Sequence, residues 1–547
     1  MLMHFNPAKN NRWATILMMV LAMIAGSRLT LAAQNTSAIA GVVKSAAGEP
    51  VAGAVVKVTN AELGMSFIAM SQAQGRYSTP PLLAGKYTVH AYGGDRQSDG
   101  AGSIEVTAGQ PAKLDLSLSV PRAIPPQLKK VTEADYEKAM PDGEGKKLLV
   151  TRCTLCHGMD RVVPTRASRD EWEKQVDTMK AYLADQGVKL TDHERDTIVD
   201  YVAANFGENA PKFHAEGGPA PDPTRNLPAT LAKGPEGHYV AMEFNLTRKA
   251  GPHDIAVDSQ GIAWVSERVG MIGRFDPKTL AYTRIPVPAG KSKESGLNAI
   301  ALDPKDVVWA MENGPNGRLV QYNTKSREFN MFPIPAPPNS GGSAINTLRF
   351  YPDGTVWGTG IVSSRIVKLD TTTRKVTEYP VPKGTHPYGL AIGGDRMLWY
   401  VANYGDEVVR LDPATGKLTR YKMPTRNSDL RRMAADADGN LWVGAHEAGK
   451  LVKVDYRTGK ATEYSTPTED SGPYSIDVDA KPNLIWFSER YADKIGRFDP
   501  RTNTFAEFPL PSTDVDVRRI EIDRSHPNRI WWSGAGSDKI GYIEVSE

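Results

Sequence analysis

The sequence predicts a multidomain, mainly β protein that consists of a small β-sandwich, a helical module and a seven-bladed β-propeller. Three observations support this prediction. The chain has 547 residues, too many for one compact core; two proline-rich stretches separate regions of different composition; and a unit of about 44 residues repeats from Gly237 onward. Hydrophobic residues make up 40% of the chain, which is typical of a folded protein, and the net charge of +3 gives no electrostatic support for a nucleic-acid partner.

Residues 1–33 have the pattern of a signal peptide. Lys9 and Arg12 precede an apolar run that starts at Trp13, and small residues before Gln34 form a cleavage site. The alternative is an uncleaved N-terminal anchor, because a basic residue follows the apolar run. In both cases we expect the rest of the chain outside the cytoplasm, periplasmic or secreted, with no membrane span once the signal is removed.

Residues 36–120 predict the β-sandwich. Short alternating runs such as AVVKVTN and GKYTVHAYG are separated by turn sequences such as GEPVAG and QGRYS. The pattern from Gly41, Gly48 and Gly75 resembles the carboxypeptidase regulatory-like domain. This resemblance implies a rigid spacer or adhesion module without chemistry of its own.

Two linkers flank a segment of different character. Residues 121–134 and 208–236 are rich in proline, and residues 135–207 between them carry apolar residues at helical spacing. Ser168 and Thr191 each stand three residues before a glutamate, which is the pattern of a helix N-terminal capping box. We therefore expect a helical module between the linkers.

The helical segment contains Cys153-Thr154-Leu155-Cys156-His157, and these are the two cysteines of the chain. The CxxCH spacing allows two thiols one helical turn apart to bond the vinyl groups of a porphyrin while the histidine ligates iron. Chance predicts this pattern on the order of 10⁻⁴ times in such a chain. A thioredoxin-like pair would need a βαβ context, and a zinc site would need a second ligand pair. The segment resembles small class I cytochromes c, which implies a helical cytochrome c module at 135–207 with haem c bound to Cys153, Cys156 and His157.

The sixth haem ligand is expected to be Met179. Met159 follows His157 too closely to reach the opposite face of the ring, whereas Met179 lies 22 residues beyond it. His193 and His214 are weaker candidates. Alternatively, Met179 is an ordinary core side chain, because it shares a helical face with other apolar residues.

Residues 237–547 predict the seven-bladed propeller. Each repeat reads as a strand, a D-x-x-G turn, a strand with tryptophan and two more strands, which is the pattern of a propeller blade. The last repeat ends after three strands, so we expect the unpaired strand that starts at His238 to complete it. The marker tryptophans are Trp264, Trp309, Trp357, Trp399, Trp442, Trp486 and Trp531.

Equivalent positions of the repeats should form rings around the propeller axis. The position of His253 carries a polar group in every repeat, which predicts a ligand site at one mouth of the channel. The arginines suit an anionic group, and the alternative is a solvated polar rim. The predicted mouth residues are Asn298, Asn346, Tyr388, Arg431, Arg432, Tyr474, Arg518 and Arg519.

The repeats, for instance GPHDIAVDSQGIAWVSERVGMIGRFDP, resemble those of virginiamycin B lyase, the streptogramin lyase. The resemblance implies His253 as a catalytic base, with Glu312 and Glu267 around a Mg²⁺ ion. The second histidine of that family is missing, because Asn298 occupies its position and asparagine does not titrate.

Three functions are therefore open. The first is an exported c-type haem protein that relays electrons, whose propeller binds a small molecule or a partner dehydrogenase. The second is a streptogramin-type lyase that acts by C–O elimination. The third is a non-enzymatic binding scaffold, in which removal of haem would change nothing.

Overall fold

A computed structural model describes most of the chain beyond the predicted signal peptide at 1–33, which lies outside the described residues, as do Cys156, His157 and His214. Contacts divide the chain into two compact units: residues 1–123, 228–240 and 278–280, and residues 124–227, 241–277 and 281–547. The described residues are 36–125, 131–155, 158–159, 162–185, 187–211, 222–288, 296–314, 317–337, 343, 345–361, 363–526 and 528–546.

The first unit contains the predicted β-sandwich. Alternate residues along its strands face inward and form the core, such as Val58, Phe67 and Tyr87, which are all buried. Strand β7 pairs antiparallel with β3 and β9, and β2 pairs with β5, β10 and β11. The strands are β1 Thr36–Ser37, β2 Ile39–Ser45, β3 Val55–Asn60, β4 Met65–Met70, β5 Arg76–Ser78, β6 Leu82–Leu83, β7 Gly85–Gly93, β8 Arg96–Gln97, β9 Gly102–Val106, β10 Ala112–Lys113, β11 Leu116–Leu118 and β12 Val120–Pro121.

Four α-helices lie between Glu133 and Asn205 in the described part of the chain, and the first begins inside the predicted linker at 121–134 because Thr132 caps it. Thr191 begins the last of them with a complete capping box, in which its hydroxyl accepts a hydrogen bond from the backbone N–H of Glu194 and the glutamate accepts one from its backbone. Ser168 and Glu171 make the same reciprocal contacts. The helices are α1 Glu133–Ala139, α2 Glu144–Arg152, α3 Arg169–Asp185 and α4 Asp192–Asn205.

The expectation of a helical cytochrome c module is wrong. The protein is mainly β, and the four described helices belong to the same compact unit as the propeller instead of forming a separate module. Capping boxes and apolar periodicity are local signals, so they predict helices without predicting how the helices are grouped. Among the described helices, none is long and apolar enough to cross a membrane.

The second unit also contains the propeller, which has seven blades of four strands each within the described residues. Six blades are separate four-stranded sheets, and in the seventh β13 lies beside β40, which confirms the predicted closure. The blades are β14 Pro252–Val257, β15 Ala263–Glu267, β16 Met271–Asp276 and β17 Ala281–Pro286; β18 Leu297–Leu302, β19 Val308–Glu312, β20 Arg318–Tyr322 and β21 Phe329–Pro333; β22 Ile345–Phe350, β23 Val356–Gly360, β24 Arg365–Leu369 and β25 Val376–Pro380; β26 Pro387–Ile392, β27 Leu398–Ala402, β28 Glu407–Leu411 and β29 Leu418–Lys422; β30 Leu430–Ala435, β31 Leu441–Ala445, β32 Lys450–Val454 and β33 Ala461–Ser465; β34 Pro473–Asp479, β35 Leu484–Glu489, β36 Lys494–Asp499 and β37 Thr504–Pro509; and β38 Val517–Ile522, β39 Arg529–Gly534, β40 Lys539–Val545 and β13 Tyr239–Asn245.

The marker tryptophans explain the repeated D-x-x-G turn. Each tryptophan is buried on the second strand of its blade. In several blades the aspartate of the turn accepts a hydrogen bond from the indole N–H, as between Trp264 and Asp258 at 2.9 Å and between Trp442 and Asp436 at 2.9 Å, whereas Trp357 donates to the hydroxyl of Thr355. A buried indole N–H needs such a partner. The turn and the tryptophan therefore act as one structural unit in these blades.

Candidate functional site

The first strand of every blade has the same irregularity at one end of the channel. Its register shifts directly after its first residue, as between Pro252 and Ile255. Such β-bulges re-aim side chains and are over-represented next to functional sites. We call the first residue inside each bulge a member of the mouth ring, which consists of His253, Asn298, Asn346, Tyr388, Arg431, Tyr474 and Arg518.

A second ring follows at the next position of each strand, and we call it the inner ring. Its glycine permits a close approach of backbones, because a Cβ at Gly389 would lie 2.6 Å from the carbonyl oxygen of Arg431. The inner ring consists of Asp254, Ala299, Thr347, Gly389, Arg432, Ser475 and Arg519. The two rings together contain all the predicted mouth residues and His253.

His253 belongs to a buried network that crosses the channel. Its Nδ1 lies 2.9 Å from Oδ1 of Asp254, and the same oxygen accepts a hydrogen bond from Nη2 of Arg432 at 2.6 Å. Burial lowers the pKa of His253 to about 4, against the opposing effect of Asp254. Burial opposes ionisation of Asp254 too, but Arg432 and His253 hold its pKa below the ordinary value. His253 is therefore neutral at pH 7 and is oriented by a charged pair.

Arg431 lies between two tyrosine rings. Its guanidinium carbon is 5.3 Å from the ring centroid of Tyr388 and 5.2 Å from that of Tyr474, within the range of cation–π attraction. The hydroxyls of the two tyrosines share a hydrogen bond across the channel, and Asp429 accepts a hydrogen bond from Nη2 of Arg431. The aromatic faces and the carboxylate fix this guanidinium in place.

Two further arginines share one carboxylate beside this group. Arg490 and Arg518 both donate to Asp516, Arg518 at 2.6 Å from Nη2. Burial opposes ionisation of Asp516, but the two guanidiniums hold its pKa far below the ordinary value. Asp516 therefore orients two guanidiniums at this side of the mouth.

The deeper part of the channel also contains charged groups. Arg349 donates to the carbonyl oxygens of Leu348 at 2.9 Å and, from another blade, of Met433 at 3.4 Å. Burial lowers the pKa of Arg349 to about 10. Arg349 and Glu521 hold equivalent places in their blades, because each pairs with the marker tryptophan of the second strand. Glu521 accepts a hydrogen bond from Arg519. These residues connect the inner ring to the interior of the channel.

Glu267 and Glu312 have partners other than His253. Oε1 of Glu267 accepts a hydrogen bond from the hydroxyl of Tyr282 at 2.6 Å, and Oε2 accepts one from Nε of Arg284 at 2.9 Å. Glu312 forms an ion pair with Arg318. A divalent ion needs oxygen ligands that are free of competing cations. The residues expected to hold Mg²⁺ therefore do not fit it in this arrangement.

A second candidate cation site is also unsuited to a metal. Ligand atoms of Asp429, His446 and Glu447 lie within 4.8 Å of one another. However, Arg431 donates to Asp429, and Nη1 of Arg490 lies 3.3 Å from Nε2 of His446. Two guanidiniums at the cluster disfavour a further cation.

The alignment of the repeats predicted the arginines of the mouth but not the acidic residues that pair with them. Asp429 stands two residues before Arg431, and Asp516 two residues before Arg518. Residues at this spacing on extended chain share one face, so an ion pair is possible within each D-x-R unit. This repeated D-x-R pattern is the signal that could have identified both pairs.

Of the predicted haem-binding residues, Cys153 and Met179 are described. Cys153 directly follows helix α2, and its side chain is 8% exposed in an apolar cluster that also contains Trp172 and Val176 of α3. Met179 is half-buried on α3, three residues after Val176. A thiol and a thioether thus belong to elements that share one apolar core, which fits the donor chemistry of haem c. Met159, also buried in this cluster, is 0% exposed.

The comparisons with known proteins identify two regions. The virginiamycin B lyase family model matches residues 280–547, and the carboxypeptidase regulatory-like domain model matches residues 38–119. No curated protein matches the chain in a sequence search.

Solved structures of lyases are similar to the propeller. Selenomethionine-substituted virginiamycin B lyase from Staphylococcus aureus is 26% identical, covers 56% of this chain and 100% of its own, and has a TM-score of 0.50. A catalytically inactive variant of that lyase with quinupristin gives the same identity, coverage and TM-score, 26%, 56%, 100% and 0.50. A streptogramin B lyase structure is 26% identical, covers 57% of this chain and 100% of its own, and has a TM-score of 0.51. The protein therefore has a virginiamycin B lyase-like propeller and a carboxypeptidase regulatory-like N-terminal domain.

Proposed function

We propose that the protein is an exported electron carrier with covalently attached haem, located in the periplasm or secreted, whose propeller binds a small molecule or a partner dehydrogenase. The observation that carries this proposal is the CxxCH motif, which contains both cysteines of the chain. Attachment of haem at this motif requires two thiols and a histidine and does not require a cytochrome c fold.

The described surroundings of the motif support haem attachment. Cys153 lies in the apolar core of the helical segment, where a porphyrin would be shielded from water. Haem bound there would supply a one-electron couple. Cys153 and Cys156 would hold the ring by thioether bonds, and His157 and Met179 would be the residues that ligate iron, with the thioether raising the reduction potential.

The helical segment and the linker that follows it both contact the mouth side of the propeller. Lys249, in the loop before β14, lies 3.1 Å from a carboxylate oxygen of Glu171 on α3 and 3.3 Å from one of Glu208. Arg225 donates to Asp493 at 3.0 Å and to Asp514 at 2.9 Å, between the last two blades. A ligand or partner at the mouth would therefore lie on the side of the propeller to which the haem-bearing segment is attached.

An absorption spectrum of the purified protein tests the proposal. We expect protein exported by a host that matures c-type haem to be red and to show sharp α and β bands after reduction with dithionite. Cys153→Ser and Cys156→Ser should weaken covalent retention of haem in denaturing gels, whereas Met159→Leu, a matched control in the same core, should not. Colourless wild-type protein would refute the proposal.

The second candidate function is a lyase of the streptogramin type. The similarity of the propeller to virginiamycin B lyase favours it, together with the buried His253–Asp254 pair. The pair could hold a proton taken from a substrate carbon, although the low pKa of His253 makes it a weak base. The test is whether the protein opens a streptogramin ester without an electron acceptor. Activity that is lost in His253→Ala and kept in Met179→Ala would support the lyase.

A further inference from the structure

His253 and Asp254 are consecutive residues whose side chains meet, which a regular strand does not allow. Neighbouring side chains of a strand point to opposite faces, but both residues lie inside the bulge of β14 between Pro252 and Ile255. Nδ1 of His253 therefore comes within 2.9 Å of Oδ1 of Asp254. The bulge of the first blade thus builds a histidine–carboxylate pair from two residues that are adjacent in the sequence.

The backbone around this pair is fixed by serines of two blades. The N–H of Asp254 donates to Oγ of Ser266 at 3.0 Å, and the hydroxyl of Ser533 donates to the carbonyl oxygen of His253 at 3.1 Å. The side chains of His253 and Asp254 are 5% and 2% exposed. The imidazole ring is therefore held in one place before a ligand arrives, which lowers the entropy cost of binding.

Arg432 keeps Asp254 ionised. Nη2 of Arg432, on the first strand of the fifth blade, donates to the same oxygen, Oδ1 of Asp254, at 2.6 Å. Burial opposes ionisation of Asp254, but Arg432 together with His253 and Arg519 holds its pKa below the ordinary value. An ionised carboxylate accepts hydrogen bonds and cannot donate them. Nδ1 of His253 must therefore be the donor in its contact with Asp254.

The state of the other ring nitrogen follows from this assignment. Burial is the largest cause that lowers the pKa of His253 to about 4. Asp254 opposes this shift, whereas Arg268 and Arg432 add to it. A neutral imidazole carries one N–H, so a proton on Nδ1 leaves a lone pair on Nε2. Nε2 of His253 forms no hydrogen bond with a described residue, so this lone pair is available.

His446 is also buried at the mouth but has a different arrangement. Its Nε2 lies 3.1 Å from the hydroxyl of Tyr491 and 3.3 Å from Nη1 of Arg490. A guanidinium donates hydrogen bonds and does not accept them, so Arg490 occupies the lone pair of this nitrogen. Of these two histidines, His253 alone keeps Nε2 available among the described residues.

We propose that Asp254 and Arg432 are positioning residues that make Nε2 of His253 the proton-accepting atom of the propeller mouth. Asp254 holds the ring proton on Nδ1, and Arg432 holds Asp254 in its ionised form. In a C–O elimination, the C–H proton of the substrate would pass to Nε2, the C–H electron pair would form the C=C bond, and oxygen would leave with the electrons of the C–O bond. This inference rests on the second candidate function, the lyase, and does not depend on haem.

Nitrogen-15 NMR of the full exported chain, labelled in histidine, tests the two positioning roles. Signals assigned with His253→Gln should show Nδ1 protonated and Nε2 unprotonated at pH 7, and should titrate with a pKa near 4. Asp254→Asn removes the anion that favours the imidazolium, so the pKa of His253 should fall below 4 and the proton should no longer be confined to Nδ1. Arg432→Met removes a cation that opposes the imidazolium, so this pKa should rise above 4.

Two control variants make the comparison specific. Arg432→Lys keeps the positive charge and should leave the pKa of His253 near the wild-type value. Arg501→Gln, which removes an exposed arginine paired with Asp499, should also leave it unchanged. Loss of structure would move the pKa of every variant towards the ordinary value of 6.5, whereas positioning predicts shifts in opposite directions. The two Arg432 variants still decide the question if Asp254→Asn fails to fold.

Reaction with diethyl pyrocarbonate, located by peptide mass spectrometry, checks that Nε2 can be reached. The reagent acylates an unprotonated ring nitrogen, so we expect modification of His253 and none of His446. A proton on Nε2 of the wild type, an unchanged pKa of His253 in Asp254→Asn and Arg432→Met, or an unmodified His253 would overturn the inference. A protein that meets all these expectations but opens no streptogramin ester would refute the lyase and leave the two positioning roles in place. An active lyase whose His253 keeps the wild-type tautomer and pKa in both variants would do the reverse.

Discussion

Glu489 is a buried carboxyl group whose replacement should stabilise the propeller. Its side chain is 0% exposed at the end of β35, beside Ser471 and Glu507. Lys494 stands opposite it on β36, but Lys494 also forms an ion pair with Glu507 at 2.6 Å. Burial and the neighbouring Glu507 raise the pKa of Glu489 to about 8 from an ordinary value of 4.5.

The sign of the pH effect follows from this pKa. Between pH 4.5 and pH 8 the folded protein keeps a proton on Glu489 that the unfolded chain has lost, so the free energy of unfolding falls as pH rises. The difference between the two pKa values corresponds to a loss of at most about 5 kcal/mol in the free energy of unfolding. Glu489→Gln keeps the shape and removes the titration. The variant should therefore match wild type near pH 4 and exceed its stability by a few kcal/mol at pH 8.

Urea unfolding of both proteins at several pH values between 4 and 8 measures this difference. Glu267→Gln is the matched control, because Glu267 occupies the same blade position but is bound by Arg284 and Tyr282. Loss of those charge-assisted bonds should destabilise the control by about 1–3 kcal/mol at pH 8. The same pH dependence in Glu489→Gln and wild type, or lower stability of the variant at pH 8, would refute the reasoning.

Three further predictions concern other parts of the second unit. Arg225→Met should destabilise the unit by about 3–5 kcal/mol, because it leaves the 2% exposed Asp493 without its buried cation; thermal unfolding measures this loss. Trp442→Ala should cost about 3–5 kcal/mol in denaturant unfolding, whereas Tyr404→Ala at an exposed position should cost less than about 0.5 kcal/mol. Met179→Ala should retain covalent haem and lower its reduction potential in spectroelectrochemistry; an unchanged potential would exclude Met179 as a ligand.

The sequence predicted the propeller well because the blade signal is local and repeated. A tryptophan and the turn aspartate that it contacts lie within one hairpin, as Trp264 and Asp258 do, so a single repeat contains the whole interaction. The unpaired strand at His238 and the incomplete last repeat likewise indicated the ring closure, which the structure confirms.

The contacts within the channel could not be predicted in the same way. Arg432 donates a hydrogen bond to Asp254, and the hydroxyls of Tyr388 and Tyr474 share one. Both contacts join blades that are distant in the sequence. Such contacts depend on the diameter of the closed ring and on side-chain length, which no single repeat encodes. The prediction of a separate helical module was wrong for the same reason, because capping residues indicate where helices begin and not which unit they join.

The seam of the propeller imposes an order on the biogenesis of the chain. The seventh blade combines β13, which is synthesised first, with β38, β39 and β40, which are synthesised last. The ring cannot close until the C-terminus has emerged, so a growing chain presents unpaired strand edges throughout its synthesis. Premature termination anywhere before Lys539 would leave the seventh blade without β40, and we expect such truncated products to aggregate or be degraded instead of accumulating as smaller propellers.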